Sequence, residues 1–251
     1  MPIAPVFPGP SAGGGGTVGL PDWELIDLTD GPWTSSDPGG NGRVSSVAVS
    51  GSDTTVTWNG FSKTADDEIN GTNFTGLRYY KELEYPDGTS VSLNDAGWTI
   101  ETWVDTPAVA GASQNAQFAL GVSSSPTATA NNTINFAGLF WTVYNSSGQL
   151  RIGQIRTNAS VLTATNANNQ YGYGRMAFVN GKGGLAFGWA IQSDGTSTGF
   201  NNRTLTNYSG TVYLQLSMGT SRTTVPAGET NVFAVYYRVI KTPIGPAGNR
   251  P

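Results

Sequence analysis

Four segments of this chain alternate large apolar residues with polar ones, and that period of two limits its fold more than any other feature. They are residues 97–105 (GWTIETWVD), 136–155 (FAGLFWTVYNSSGQLRIGQI), 211–219 (TVYLQLSMG) and 231–240 (NVFAVYYRVI). Successive side chains on a pleated strand point to opposite faces, so each pattern buries one face and leaves the other wet or partnered. In the first segment Trp98, Ile100, Thr102 and Val104 share one side, and Thr99, Glu101, Trp103 and Asp105 share the other.

Turn signals fall between these runs. Asn59-Gly60, Asp87-Gly88 and Asn180-Gly181 with Gly183-Gly184 each read as a hairpin, because type I′ turns need positive φ, and Ser146-Ser147-Gly148 joins two runs in the same way. About a dozen strands are predicted on this spacing. Helical periodicity is nearly absent; the best candidate is a turn around Ala65 to Ile69, where Asp66, Asp67 and Glu68 suit a first helical turn. Many short, evenly spaced strands with glycine-rich turns predict an all-β, two-sheet antiparallel sandwich of jelly-roll type, with a closed barrel as the alternative.

The ends of the chain read differently. Residues 1–21 hold Pro2, Pro5, Pro8, Pro10 and Pro21 and the run Gly13 to Gly16, which block helix interiors and central strands alike. An extended arm is expected at 1–21, a single sandwich domain at 22–241 and a C-terminal tail at 242–251. Val6, Phe7, Leu20 and Trp23 are the apolar residues with which such an arm could dock on another subunit. The leader lacks the basic and continuous apolar stretches of a secretory signal, and a soluble protein is expected.

The inventory removes whole classes of chemistry. There is no Cys and no His among the 251 residues, so disulfides, thiolate zinc sites and Ser-His or Cys-His catalysis are excluded. Charged residues make up 12 %, about half the usual share, and the net charge is −4 with the Lys and Arg scattered. No basic stripe exists for phosphates or an anionic bilayer, so neither nucleic acid nor membrane is expected as a partner.

The strand Trp98-Thr99-Ile100-Glu101-Thr102-Trp103-Val104, the runs 118–122 and 139–144, the Gly148 turn into 150–152, and the strands 212–217 and 232–239 together resemble the concanavalin A-like or laminin-G-like jelly roll, over roughly residues 77–240. Domains of that kind serve as lectins, carbohydrate-binding modules, glycosidase cores and surface domains of tailed bacteriophages. With its arms and its richness in Gly, Ser, Thr and Asn, the chain looks most like the last group. The resemblance implies a homo-oligomer, with a trimer as its suggested size.

Candidate sites are few. Glycoside hydrolysis needs two carboxylates across the scissile bond. Glu101 and Asp105 share a strand face and so do Glu82 and Glu84, but the E-x-D-x-E arrangement of hydrolases with this fold is missing, and outward solvated charges are the expected reading. Asp66, Asp67, Glu68 and Asn70, or Asp194 with Ser193 and Thr196, offer oxygens for calcium without a chelating-loop motif, so no metal and no cofactor are assigned. Trp98, Trp141 and Trp189 are expected in the core. Trp103 faces the other way and is expected to be exposed or covered by a loop or neighbour. Residues 166–175 (NANNQYGYGR) put Tyr171, Tyr173 and Arg175 in an Asn- and Gly-rich connection that could hydrogen-bond a polyhydroxylated ligand or a protein.

The function expected from the sequence is therefore a non-enzymatic virion structural protein, a bacteriophage capsid decoration or cement protein or a short fibre or spike subunit. It would dock on other virion proteins through its arm and show a lectin-like sandwich at the virion surface, after assembly in the host cytoplasm. The alternative is a lectin or adhesin domain that binds host or environmental glycans through Trp103 or the Tyr171 and Tyr173 segment.

Overall fold

A computed structural model of the protein describes residues 21–36, 44–62, 77–92, 95, 97–105, 114–123, 136–144, 149–155, 162–164, 171–179, 185–191, 197–204, 210–220 and 224–241. Val6, Phe7 and Leu20, the acidic turn at 65–70, Asp194 and the tail 242–251 lie outside the described residues.

Among them the chain runs through β1 (Glu24–Leu25), β2 (Thr34–Ser36), β3 (Val44–Ser50), β4 (Asp53–Trp58), β5 (Phe61–Ser62), β6 (Leu77–Glu82), β7 (Gly97–Asp105), β8 (Gln114–Ser123) and β9 (Phe136–Tyr144). It continues through β10 (Gln149–Ile155), β11 (Leu162–Ala164), β12 (Tyr171–Val179), β13 (Leu185–Ile191), β14 (Ser197–Thr204), β15 (Tyr213–Thr220), β16 (Thr224–Val225) and β17 (Thr230–Ile240). The larger sheet has the order β14-β13-β12-β7-β17-β4-β3, with β1 also beside β17; the smaller has the order β11-β10-β9-β8-β15-β6-β2; β16 and β5 form a third, short pair. The protein is all-β, a two-sheet antiparallel sandwich of jelly-roll type. The chain passes repeatedly from one sheet to the other, as between β6 and β7, β7 and β8, β11 and β12, and β14 and β15, so strands far apart in sequence meet at the centre of each sheet.

Alternation builds the core as the sequence predicts. β7 contributes Trp98, Ile100 and Val104, and β17 contributes Phe233, Val235, Tyr237 and Val239. From the facing sheet come Phe118, Leu120 and Val122 of β8 and Leu214, Leu216 and Met218 of β15. The layers touch where the rings of Phe118 and Phe233 lie 4.1 Å apart between centroids. Burial of each such side chain contributes about 1.5–3 kcal/mol. In the buried interior Trp58 Nε1 donates to Asn231 Oδ1 at 2.7 Å.

The turn signals fare unevenly. β9 pairs with β10 and β12 with β13 across the expected turns. At Asp87-Gly88 the chain reverses tightly, with Tyr85 N–H donating to the Thr89 carbonyl at 2.8 Å and Gly88 at φ 78°. Asn59-Gly60 is different: β5 leaves β4 and pairs with β16 instead. A Cβ at Gly60 would meet Ala227 at 3.1 Å, so the glycine there admits a close backbone approach and makes no hairpin. The hairpin of that region is β3–β4, turned at Gly51 with φ 62°.

Candidate functional site

The outward face of the larger sheet gathers the aromatic and charged residues that the sequence singles out. Directly paired residues of neighbouring strands share a sheet face. Across β12, β7 and β17 the register therefore sets three rows: Tyr171, Asp105 and Ala234; Tyr173, Trp103 and Tyr236; Arg175, Glu101 and Arg238. β13 extends two of them, with Ile191 opposite Tyr173 and Trp189 opposite Arg175.

Tyr171, Tyr173 and Arg175 thus belong to a strand and not to a connecting loop, because β12 begins at Tyr171 and pairs with β7 along its whole length. The alternation Tyr-Gly-Tyr-Gly-Arg-Met-Ala-Phe carries that strand signal through the glycines, which propensity alone obscures. Tyr236 and Arg238, which complete the rows, had no signal beyond the alternation of β17; their neighbours on β7 lie more than a hundred positions away in the chain.

At the centre Trp103 and Tyr236 are half-buried. Trp103 Nε1 donates to Asp105 Oδ1 at 2.9 Å, which fixes the ring beside a carboxylate. Burial pushes the Asp105 carboxyl above its ordinary range, the charge of Asp53 adds to this, and the Trp103 hydrogen bond opposes it. Asp105 is therefore costlier to ionise than an exposed carboxyl.

The next row corrects an expectation. Glu101 is 0 % exposed and is not a solvated surface charge. Arg238 Nε donates to Glu101 Oε2 at 2.6 Å, and the guanidinium lies 4.5 Å from the centroid of the Trp23 ring. Arg238 Nη1 also donates to the Pro21 carbonyl at 3.3 Å. A carboxylate so enclosed can be buried because its charge and lone pairs are matched. It is spent on structure, and the notional Glu101 and Asp105 acid pair is not available as two free carboxylates.

Trp23, one of the four proposed docking residues, is half-buried against its own sandwich by this contact. Beside it lies a groove of about 360 Å³, bounded by Trp23, Glu24, Glu84, Pro86, Tyr237 and Arg238. Lys81 Nζ reaches Glu24 at 3.0 Å across its rim. Burial and the bond to Glu24 push the Tyr237 phenol well above its ordinary value, so it remains a neutral hydroxyl.

The smaller sheet has its own polar outward face. Arg78 of β6 pairs in register with Ser217 of β15, Tyr80 with Gln215, and Tyr213 with Ser123. Arg78 is only 2 % exposed, and Gln215, Ser217 and Ser123 are fully buried. Burial lowers the affinity of the Arg78 guanidinium for its proton. On the same face Tyr80 and Tyr213 are half-buried, with their rings edge to face and 6.4 Å apart between centroids. Among the described residues no three His, Cys, Asp or Glu side chains come together as a metal-holding group, and no helix is long and apolar enough to cross a membrane.

No protein-family model matches the chain, and no curated protein sequence matches it. Solved structures align with it at low identity. An alginate lyase from Pseudomonas aeruginosa aligns with a TM-score of 0.47 and 12 % identity over 85 % of this chain and 99 % of that one. The CBM2 module of an evolved Dit protein from Lactobacillus casei phage J-1 aligns with a TM-score of 0.46 and 9 % identity over 87 % and 96 %. A legume lectin-like domain from Entamoeba histolytica aligns with a TM-score of 0.46 and 9 % identity over 85 % and 91 %. What this chain does rests on its own residues.

Proposed function

We propose that the protein binds carbohydrate without altering it, through the outward face of its larger sheet. The observation that carries this reading is the row Tyr173, Trp103 and Tyr236, which aligns three aromatic residues on adjacent strands, flanked by Asp105 and by the Arg238 pair. Flat rings stack on the C–H faces of sugars while neighbouring carboxylates and guanidinium groups bond the hydroxyls. The central row crosses three strands about 4.8 Å apart, a platform about 10 Å long that suits one or two sugar rings, since Glu101 and Ala234 in the rows beside it are buried. Binding without turnover is favoured because Glu101, the carboxylate best placed on this face, is held by Arg238 away from solvent.

A glycan array tests this with the whole protein and a Trp103→Ala variant. Wild type is expected to retain a defined set of glycans, and the variant to bind them about tenfold more weakly or worse, a loss of about 1.4 kcal/mol. Silence from wild type, equal binding by the variant, or cleavage of a bound polysaccharide would each defeat the proposal.

A second feature supports placing this module on a virion. Pro21 and β1, which follow the proline- and glycine-rich sequence 1–20, are held on the sandwich by Arg238 on the Pro21 carbonyl and by the pairing of β1 with β17. An arm so anchored can dock on a capsid or tail subunit while the sandwich faces outward. Removal of residues 1–20 is expected to leave a folded sandwich that no longer joins particles; stoichiometric incorporation of the truncated protein would sink the arm assignment.

A further inference from the structure

The aromatic row Tyr173, Trp103 and Tyr236 has unlike neighbours on its two sides. On one side Glu101, 0 % exposed, is closed off by Arg238, whose Nε donates to it at 2.6 Å. On the other side the row of Tyr171, Asp105 and Ala234 runs on toward Asp53. Thr54 of β4 pairs with Phe233 on the core face, so Asp53, one position earlier, falls on the outward face level with Ala234. Two carboxylates thus stand on either side of a residue that carries only a methyl group.

Both are half-buried, and neither is matched by a cation. Among the described residues Lys81 is paired with Glu24, Arg238 with Glu101 and Lys241 with Asp87, and none pairs with Asp53 or Asp105. Burial raises the Asp105 carboxyl and the charge of Asp53 adds to this, so the two groups repel across Ala234. That repulsion costs the folded protein stability, and a cation lodged between the two removes it.

The surroundings select the kind of cation. A bare metal ion needs several converging oxygens, and among the described residues no three acidic side chains come together. An ammonium group needs fewer partners: it donates three hydrogen bonds and is attracted to the faces of aromatic rings. Trp103 and Tyr236 supply such rings in the next row, about 6.7 Å along the strands, a gap that a substituent on a stacked sugar and a carboxylate side chain close between them.

We infer that the glycan held on this face carries a free amine: an amino sugar stacks on the Trp103 row and its ammonium sits between Asp53 and Asp105. This rests on the glycan-binding reading above and names its ligand class. An N-acetyl group in the same place brings no charge and leaves the carboxylates unmatched, and an acidic sugar is repelled by them.

An array of matched glycan pairs tests this with the full chain. Each pair is built on glucosamine, galactosamine or mannosamine and differs only in carrying the free amine or its N-acetyl form, at about pH 6.5, where the amine is protonated. Wild type is expected to bind the amine member of at least one pair about tenfold more tightly than its N-acetyl partner. In Asp53→Asn and in Asp105→Asn that ratio is expected to fall toward one. In Asp30→Asn, which removes an exposed carboxylate outside these rows, the ratio is expected to stay as in wild type. Equal binding of both members by wild type, or a ratio that survives both site variants, overturns the amine assignment and leaves the glycan face standing. A ratio lost to the same extent in Asp30→Asn overturns it in favour of overall charge. Silence toward every glycan, neutral ones included, defeats the glycan-binding reading and this inference with it.

Discussion

Arg238 and Lys241 stand three positions apart at the end of β17, and each holds a carboxylate and an aromatic ring. Arg238 grips Glu101 and lies over Trp23; Lys241 grips Asp87 and lies over Tyr85, 4.9 Å from its ring centroid. Their settings differ. The side chains of the first pair are 11 % and 0 % exposed, those of the second 54 % and 52 %. In the first pair water is excluded, so neither charge has an alternative partner and breaking the bond strands the other. In the second, water and salt replace whatever is lost. The same chemistry is a structural pin at the centre of the sheet and an incidental contact at the rim.

The largest expected effect comes from making the pin half-charged. Glu101→Gln keeps the shape of the side chain and leaves Arg238 an uncompensated buried cation, so a loss of about 3–5 kcal/mol in chemical denaturation is expected. A loss below about 1 kcal/mol would place this pair with the rim contact and erase the distinction.

Asp105 sharpens the comparison with a signed pH effect. Its carboxyl is raised by burial, so the folded form holds the proton more tightly than the unfolded chain. That contribution is complete below the ordinary carboxylate value and is lost as pH rises through the raised one. Asp105→Asn keeps an acceptor for Trp103 and removes the cost of ionisation. It is expected to melt higher than wild type at neutral pH, with the gain shrinking as the solution is acidified; a variant that melts lower at neutral pH would contradict the assignment.

Lys241→Ala should change least. Asp87 is held down to about 2, first by the Lys241 hydrogen bond and then by Thr89, so its contribution is present above the ordinary value of 3.8 and lost as pH falls through about 2. At neutral pH the melting temperature is expected to stay within experimental scatter of wild type, and about 1 M salt should remove any remaining difference. A clear drop that salt does not abolish would show that exposure does not divide the two pairs.

Much of this architecture is written locally. The run GWTIETWVD forms β7 over the span read from its alternation, and Trp98 and Trp103 fall on opposite faces as that pattern requires. β3 has an equally readable VSSVAVS pattern followed by DTTVTW, yet small Ser and Ala residues dilute the apolar signal that betrays a strand. The glycines between Tyr171, Tyr173 and Arg175 disguised a strand as a loop for the opposite reason, since Gly weakens strand propensity while cross-strand pairing overrides it.

The sequence by itself determined which residues lie in strands at the centre of the molecule and which side of each strand is apolar, because a period of two is a property of neighbours along the chain. Only the tertiary structure decided that Glu101 meets Arg238 across 137 positions, that Trp103 is flanked by Tyr173 and Tyr236, and that β3 is left at an edge. Strand order and register follow from packing two whole layers against one core, so the environment that turns an ordinary glutamate into a buried pin exists only when distant strands have already met.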